Sequence, residues 1–158
     1  FKKGTVWHYD VSGDSVLVRA VGVVTRVDGK RMEIEVNYFG ENEAKPRRTE
    51  AWTAEVRDGH LFWAFGKDWG AWPLYKFPSR PGDTWGFGEG PKTALKVRHC
   101  GFEKLELPAG KFDKAIHVQV QVKAPCDGLD KAAEAWLVPN RGIVKLERAD
   151  DVTLILRK

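Results

Sequence analysis

The sequence predicts an all-β domain in which an antiparallel meander forms a half-barrel or clam-like curved sheet with little helix. Apolar and polar residues alternate with a period of two along many short segments, as in strands with one face on a core and one in water. Turns rich in Gly separate these segments, which favours hairpins over the long crossovers that parallel strands need. The chain has 158 residues, the size of one domain, so residues 1–158 are expected to fold as a single unit.

The clearest alternation lies early in the chain. Every second residue from Met32 to Tyr38 is apolar, and the residues between them are charged or polar. A Val-rich segment, residues 15–27, precedes this run. Asp28 and Gly29 separate the two and predict a two-residue hairpin turn, because Asp-Gly tolerates positive φ at both central positions.

The same succession of strand-like segment and turn recurs to the end of the chain. Each turn contains Gly, Pro, Asn or Asp, the residues that reverse a chain with least strain. The spacing favours a meander that curves into a barrel, half-barrel or sandwich. The other predicted strands are residues 5–11, 60–65, 104–107, 112–123, 135–138, 143–148 and 152–156.

Two segments are also compatible with a helix. Residues 49–56 begin with Thr, contain good helix formers and are followed by Gly59 as a stop signal. The apolar residues from Trp52 to Val56 nevertheless alternate into an Asp-Gly turn, which favours a strand. For residues 130–136, a short helical turn that leads into a strand satisfies both interpretations.

Residues 66–91 break the pattern, because Gly, Pro and aromatic residues are concentrated there. We predict a long irregular connection with one short strand over residues 74–77, and connections of this length usually carry function. Flat aromatic faces would stack on a sugar or line an apolar cavity. In the alternative interpretation they plug the open end of a barrel. The candidate ligand-binding residues are Trp69, Trp72, Tyr75 and Trp85.

The charge pattern and the scattered reactive residues limit the classes of function that we expect. Lys and Arg number 26 against 22 Asp and Glu, a net charge of +4; because the signs are interspersed, we expect no nucleic-acid partner. The four histidines lack metal-binding spacing, so we expect neither a metal nor a cofactor. No nucleophile or acid–base motif is present, so we expect no catalytic residues and a non-enzymatic function.

The two cysteines, Cys100 and Cys126, leave two alternatives open. They form a disulfide, which persists in exported proteins, or they are separate buried thiols that behave as small hydrophobic residues. The sequence starts at Phe1 rather than Met and shows no signal-peptide pattern. We interpret it as a mature or excised segment.

Three motifs follow one another in the second half of the chain. They are G-D-x-W ending at Trp85, P-A-G-x-F ending at Phe112, and W-x-x-P-x-x-G-x-V-K starting at Trp136. This ordered set resembles bacterial exported or lipoprotein-like β domains of unknown function. The resemblance implies a half-barrel broadly like that of lipoprotein carriers, whose concave face can hold acyl chains, and a location in the periplasm, in the cell envelope or outside the cell. It implies no catalytic residue.

These observations lead us to expect an exported domain that binds an apolar or carbohydrate-like ligand in an aromatic-lined concave site. One alternative is a structural or protein-interaction module of the bacterial cell envelope, which would dock through an exposed edge strand or the Gly/Pro/Trp-rich segment. A third is an enzyme whose site the sequence does not reveal. Association with the membrane envelope is compatible with the first two functions.

Overall fold

A computed structural model of the chain describes residues 1–66, 71–87, 94–123, 130–148 and 150–157. In these residues twelve strands form one antiparallel sheet, and no helix occurs, hence none that could cross a bilayer. The predicted all-β meander is confirmed. The strands are β1 (Val6–Ser12), β2 (Arg19–Asp28), β3 (Arg31–Phe39), β4 (Arg48–Arg57), β5 (His60–Phe65), β6 (Ala71–Lys76), β7 (Thr84–Phe87), β8 (Ala94–Leu107), β9 (Gly110–Lys123), β10 (Asp130–Val138), β11 (Gly142–Glu147) and β12 (Thr153–Leu156).

The strand order shows how the sheet closes on itself. The order is β6-β5-β4-β3-β2-β1-β12-β11-β10-β9-β8-β7, so strands that follow one another in the chain pair with each other, except β6 and β7. The first and last strands also pair, with Tyr9 opposite Leu156 and Ser12 opposite Thr153. The two edge strands, β6 and β7, come close together without pairing. The expected half-barrel is therefore a nearly closed barrel with one unsealed seam.

The barrel interior is filled by one hydrophobic core. On β3 every second residue, Ile34, Val36 and Tyr38, is almost completely buried, as the alternation predicts. Leu74 and Leu154, on strands in opposite halves of the chain, reach the same core. Burial of one such side chain stabilises the fold by about 1.5–3 kcal/mol, so the core is the main source of stability.

The β2–β3 turn lies one residue further along the chain than predicted. Asp28 pairs with Arg31, so the two loop residues are Gly29 and Lys30 rather than Asp28 and Gly29. Only Gly29 has a positive φ, 55°. A Gly in the first loop position is the signature of the second common two-residue hairpin turn, and this register brings Lys30 to the end of the barrel.

Both segments with helical character are strands. Residues 49–56 lie in β4, as favoured. The helical turn considered for residues 130–136 is wrong, because β10 is extended from its first residue, with Asp130 opposite Lys123 of β9. Backbone pairing within the sheet overrides a local preference for helix, since propensity is a weak influence beside tertiary contacts.

The segment predicted to be irregular contains two strands in its described parts. β6 begins at Ala71, earlier than predicted, and β7 follows from Thr84. Pro73 lies within β6. Proline is tolerated there because β6 is an edge strand, where one side of the backbone needs no partner.

Candidate ligand site

An apolar cavity of about 360 Å³ opens at one end of the barrel. Its volume lies in the range of about 300–1,000 Å³ that is typical of small-molecule sites. The wall is built from inward-facing side chains near the ends of several strands. These are Met32, Ala54, Leu61, Trp63, Tyr75, Ile116 and Leu137. A site with such a wall favours an apolar occupant.

One small residue helps to leave this space open. The register places Ala54 of β4 opposite both Met32 of β3 and Trp63 of β5. Ala54 is buried and lines the cavity. A row of large, small and large side chains across three neighbouring strands leaves volume above the small one, since close packing requires a larger residue there.

Exposed apolar side chains surround the cavity mouth. Phe1 and Phe77 are 54% and 49% exposed, and both line the cavity. Val27 and Val56 lie on the same rim and are also exposed. Single exposed apolar residues are ordinary, but a group of them around an apolar cavity is typical of a binding surface. The rim therefore extends the apolar character of the cavity to the protein surface.

The mouth also carries charged residues. Lys30 and Arg31, at the β2–β3 turn, line the cavity, as does Glu55 of β4. Arg31 and Glu55 lie opposite each other on neighbouring strands. The charges are confined to the mouth, whereas the wall described above is apolar.

Two buried ring nitrogens near the cavity lack hydrogen-bond partners among the described residues. One is Nε1 of Trp63, a residue only 3% exposed, and the other is Nε2 of His99, which is fully buried. A buried polar atom without a partner costs about 1–3 kcal/mol. The hydrogen-bonding capacity of the buried polar atoms is thus less completely used in this part of the interior than in the rest of the core.

The structure separates the four predicted ligand residues. Tyr75 lines the cavity. Trp72 is buried and packs edge-on against Phe65, with ring centroids 5.2 Å apart. Trp85 is buried in the seam, and Trp69 lies outside the described residues. Of these residues, the structure thus brings Tyr75 to the cavity and places Trp72 and Trp85 in the core.

Side chains hold the seam between β6 and β7 together. The indole N–H of Trp85 donates a hydrogen bond to the carbonyl oxygen of Pro73 at 2.6 Å. Tyr75 packs edge-on against both Trp85 and His99, at centroid distances of 6.3 and 5.7 Å. The Nδ1 atom of His99 lies 3.0 Å from the Ser79 hydroxyl. Tyr75 thus belongs to both the seam and the cavity wall.

At the opposite end of the barrel, the largely buried carboxylate of Glu50 accepts hydrogen bonds from several donors. The Tyr38 hydroxyl and the Trp52 indole N–H both donate to Oε2 of Glu50, at 2.9 and 2.8 Å. Arg48 forms an ion pair with Glu50, and Nη1 of Arg148 lies 3.9 Å from Oε1. Because Glu50 lies on β4 and Arg148 directly follows β11, these contacts join distant parts of the sheet.

The buried tyrosines predict loss of stability at high pH. Burial raises the pKa of Tyr9 and Tyr38 well above the ordinary value, and the charge of Glu50 raises that of Tyr38 further. Above about pH 10 the unfolded chain loses these protons while the native state keeps them, so stability falls as the pH rises. Below about pH 10 both states keep the protons, and the contribution of the two tyrosines to stability is complete. We expect the free energy of unfolding in urea to fall above about pH 10, and to fall less in Tyr38→Phe. Since lysine titration affects both proteins, equal slopes would contradict this assignment.

A second group of titratable side chains lies on the outer face of β8, β9 and β10. The His117 ring stacks on Trp136 with centroids 4.5 Å apart, and its Nδ1 lies 2.6 Å from Oε1 of Glu103. Nε2 lies 3.3 Å from Glu134 without hydrogen-bond geometry. Burial raises the pKa of Glu103, but the hydrogen bond from Trp136 and the charge of His117 outweigh it and hold that pKa below its usual value. None of these residues lines the cavity. Their contacts instead connect β8, β9 and β10 to one another.

The two cysteines remain unassigned as a pair. Cys100 lies on β8 and is exposed. Cys126 lies outside the described residues, so the disulfide between them stays a prediction.

Residues of the three sequence motifs have structural roles in the barrel. Trp85 of the first motif holds the seam. In the second, the Ala109 amide at the tip of the β8–β9 hairpin donates to the Leu156 carbonyl at 3.2 Å. In the third, Gly142 has a φ of 83°, which suits glycine at the β10–β11 turn.

Comparisons with known proteins agree with this architecture. No family model matches the sequence, and no curated protein matches it significantly. A solved structure of a Bacteroides fragilis protein, inferred to be exported and described as having a YmcC-like fold, aligns with 99% of this chain and 95% of its own, with a TM-score of 0.58 and 18% identity. The two chains share this fold. This likeness shows the fold, while the motif pattern and the exported location that it implies stay predictions.

Proposed function

We propose that the protein is an exported, non-enzymatic binding protein that holds an apolar ligand in the barrel cavity. The cavity of about 360 Å³ with its apolar wall carries this proposal. Transfer of an apolar ligand from water into such a space is favourable by about 25 cal/mol per Å² of buried surface. The exposed Phe1 and Phe77 at the mouth extend the surface that a ligand would cover. Export is supported by the fold shared with a protein inferred to be exported.

The residues of the cavity favour binding over catalysis. Acid–base and nucleophilic catalysis require reactive groups that converge on one point. The described residues that line the cavity include no His, Cys, Ser, Thr or Asp. The scarcity of polar groups in the wall also favours an apolar ligand over a carbohydrate, whose hydroxyl groups would lose their hydrogen bonds to water.

Filling the cavity should weaken ligand binding. In Ala54→Leu a larger side chain projects between Met32 and Trp63, so we expect affinity for the neutral apolar dye N-phenyl-1-naphthylamine to fall by about tenfold or more, or about 1.4 kcal/mol. The measurement is a fluorescence titration, with thermal unfolding recorded to confirm that the variant is folded. Because the leucine enters open space, the cost in stability should stay below the usual 1–3 kcal/mol or so of overpacking.

Ala51→Leu is the matched control, since Ala51 is exposed on the same strand. Its dye affinity should equal that of the wild type. Equal affinity in both variants would place the dye elsewhere, and absence of binding by the wild type would contradict the proposed function.

The unpaired edges of β6 and β7 favour a second candidate function, a protein-interaction module. An edge strand can accept a strand from a partner through backbone hydrogen bonds. Such a partner would slow amide hydrogen exchange in β6 or β7, whereas a cavity ligand would leave those edges unpaired.

A further inference from the structure

We infer that the cavity ligand is an anionic amphiphile, with its apolar body in the cavity and its negative group at the mouth beside Lys30 and Arg31. This inference rests on the proposed function. It assigns the ligand a charge and an orientation, which follow from the contrast between the wall and the mouth.

The backbone places Lys30 at the mouth. The Val56 amide donates to the Lys30 carbonyl at 3.0 Å, so Lys30 lies beside the exposed rim residue Val56. Lys30 is the second residue of the β2–β3 turn and precedes the cavity residue Met32 by two positions. Both Lys30 and Met32 line the cavity. A cation therefore stands where the apolar wall meets water.

Neither Lys30 nor Arg31 forms an ion pair with a described residue, although Arg31 lies opposite Asp28 of β2 and Glu55 of β4. By contrast, Arg47, Arg48 and Lys145 each pair with a glutamate. A mouth with two such cations attracts an anion, and the apolar surface around it strengthens the attraction relative to open water.

Glu55 reduces this positive charge without cancelling it. It is the acidic residue among the described cavity-lining residues, and it lies opposite Arg31 across the β3–β4 pair. Opposite charges at such positions attract, so Arg31 is partly neutralised and Lys30 less so. Among the residues that line the cavity, two cations stand against one carboxylate. Asp28, opposite Arg31 on β2, is itself paired with Arg26 at 3.2 Å, so the mouth stays positive.

The wall determines the orientation of the ligand. The wall offers a charge no counter-ion, and its polar side-chain atoms are limited to the Trp63 indole N–H and the Tyr75 hydroxyl. Burial of an unpaired charge in such surroundings is very costly. The negative group must therefore stay at the mouth, and the apolar part of the molecule must point inward.

Two dyes that differ by one sulfonate group test this inference. They are 1-anilinonaphthalene-8-sulfonate and N-phenyl-1-naphthylamine, which lacks the sulfonate. We expect Lys30→Ser/Arg31→Ser to weaken the affinity for the sulfonate about fivefold to tenfold, from two exposed charge contacts, and to change that for the neutral dye less than about twofold. Glu55→Gln should strengthen sulfonate binding about twofold. Lys45→Ser, an exposed lysine in the β3–β4 loop at the other end of the barrel, should change neither affinity.

The outcomes separate this inference from the proposed function. If the double variant binds the sulfonate as tightly as the wild type, or loses both dyes equally, the inference is overturned while the cavity remains the binding site. If the wild type binds neither dye, or Ala54→Leu binds both normally, the proposed function itself fails. Raising the salt concentration to about 0.5 M should weaken sulfonate binding in the wild type and leave the double variant almost unchanged, because salt screens exposed charges; equal salt dependence in both proteins would also overturn the inference.

Discussion

Glu50→Ala is expected to lower the free energy of unfolding by about 3–5 kcal/mol. The substitution removes the acceptor for two buried donors, the Tyr38 hydroxyl and the Trp52 indole N–H. Each donor left without a partner costs about 1–3 kcal/mol. Arg148 keeps its ion pair with Asp150 at 2.8 Å, so most of the loss comes from the two donors rather than from an isolated charge.

Two further variants identify the cause of this loss. Glu50→Gln retains an acceptor oxygen but no charge, so its loss should be about half as large. Glu35→Ala removes an exposed carboxylate from β3 and should change stability by less than about 0.5 kcal/mol. Urea denaturation followed by tryptophan fluorescence measures all three. If Glu50→Ala costs no more than Glu35→Ala, the buried network does not stabilise the fold.

The strands that the sequence predicts best are those with one buried face and one solvent-exposed face. Along β3 the alternation of apolar and charged residues matches the observed burial of Ile34 and Val36. In residues 49–56 the same alternation correctly outweighed the helix formers. The alternation is informative because one face of such a strand contacts the core and the other contacts water, so the residue types differ from one position to the next.

Elements whose pattern departs from alternation were harder to predict. β6 includes Pro73, and four of its consecutive residues are buried, so neither face is polar. β10 begins with good helix formers, and its extended form follows from pairing with β9. In both strands the decisive contacts come from residues distant in sequence, which propensity does not encode.

The cavity could be predicted only in part for a related reason. Alternation marks Met32 and Leu61 as inward-facing, but it does not tell whether a partner across the barrel fills the space beside them. That depends on the register that sets Ala54 between large residues. The Gly and Pro residues around Trp72 and Trp85 favour a ligand role for both, yet neither lines the cavity. Aromatic residues in a Gly-rich segment pack into a core as readily as they line a site.

Trp85→Ala should destabilise the protein by about 3–5 kcal/mol, as expected for loss of a buried Trp. The effect should be concentrated at the seam, because Trp85 packs against Tyr75 and bonds to Pro73 where β6 and β7 do not pair. Amide hydrogen exchange should then accelerate in β6 and β7 before it does in β1 and β12, whose backbones are paired on both sides.

Trp85→Phe separates packing from hydrogen bonding at the seam. The variant keeps an aromatic ring beside Tyr75 but loses the hydrogen bond to Pro73, so we expect a loss of about 1–2 kcal/mol with the same local pattern of exchange. Uniform acceleration across all strands would mean that Trp85 stabilises the core as a whole and does not fasten the seam. Local acceleration would mean that side chains replace, at this one junction, the backbone hydrogen bonds that close the rest of the barrel.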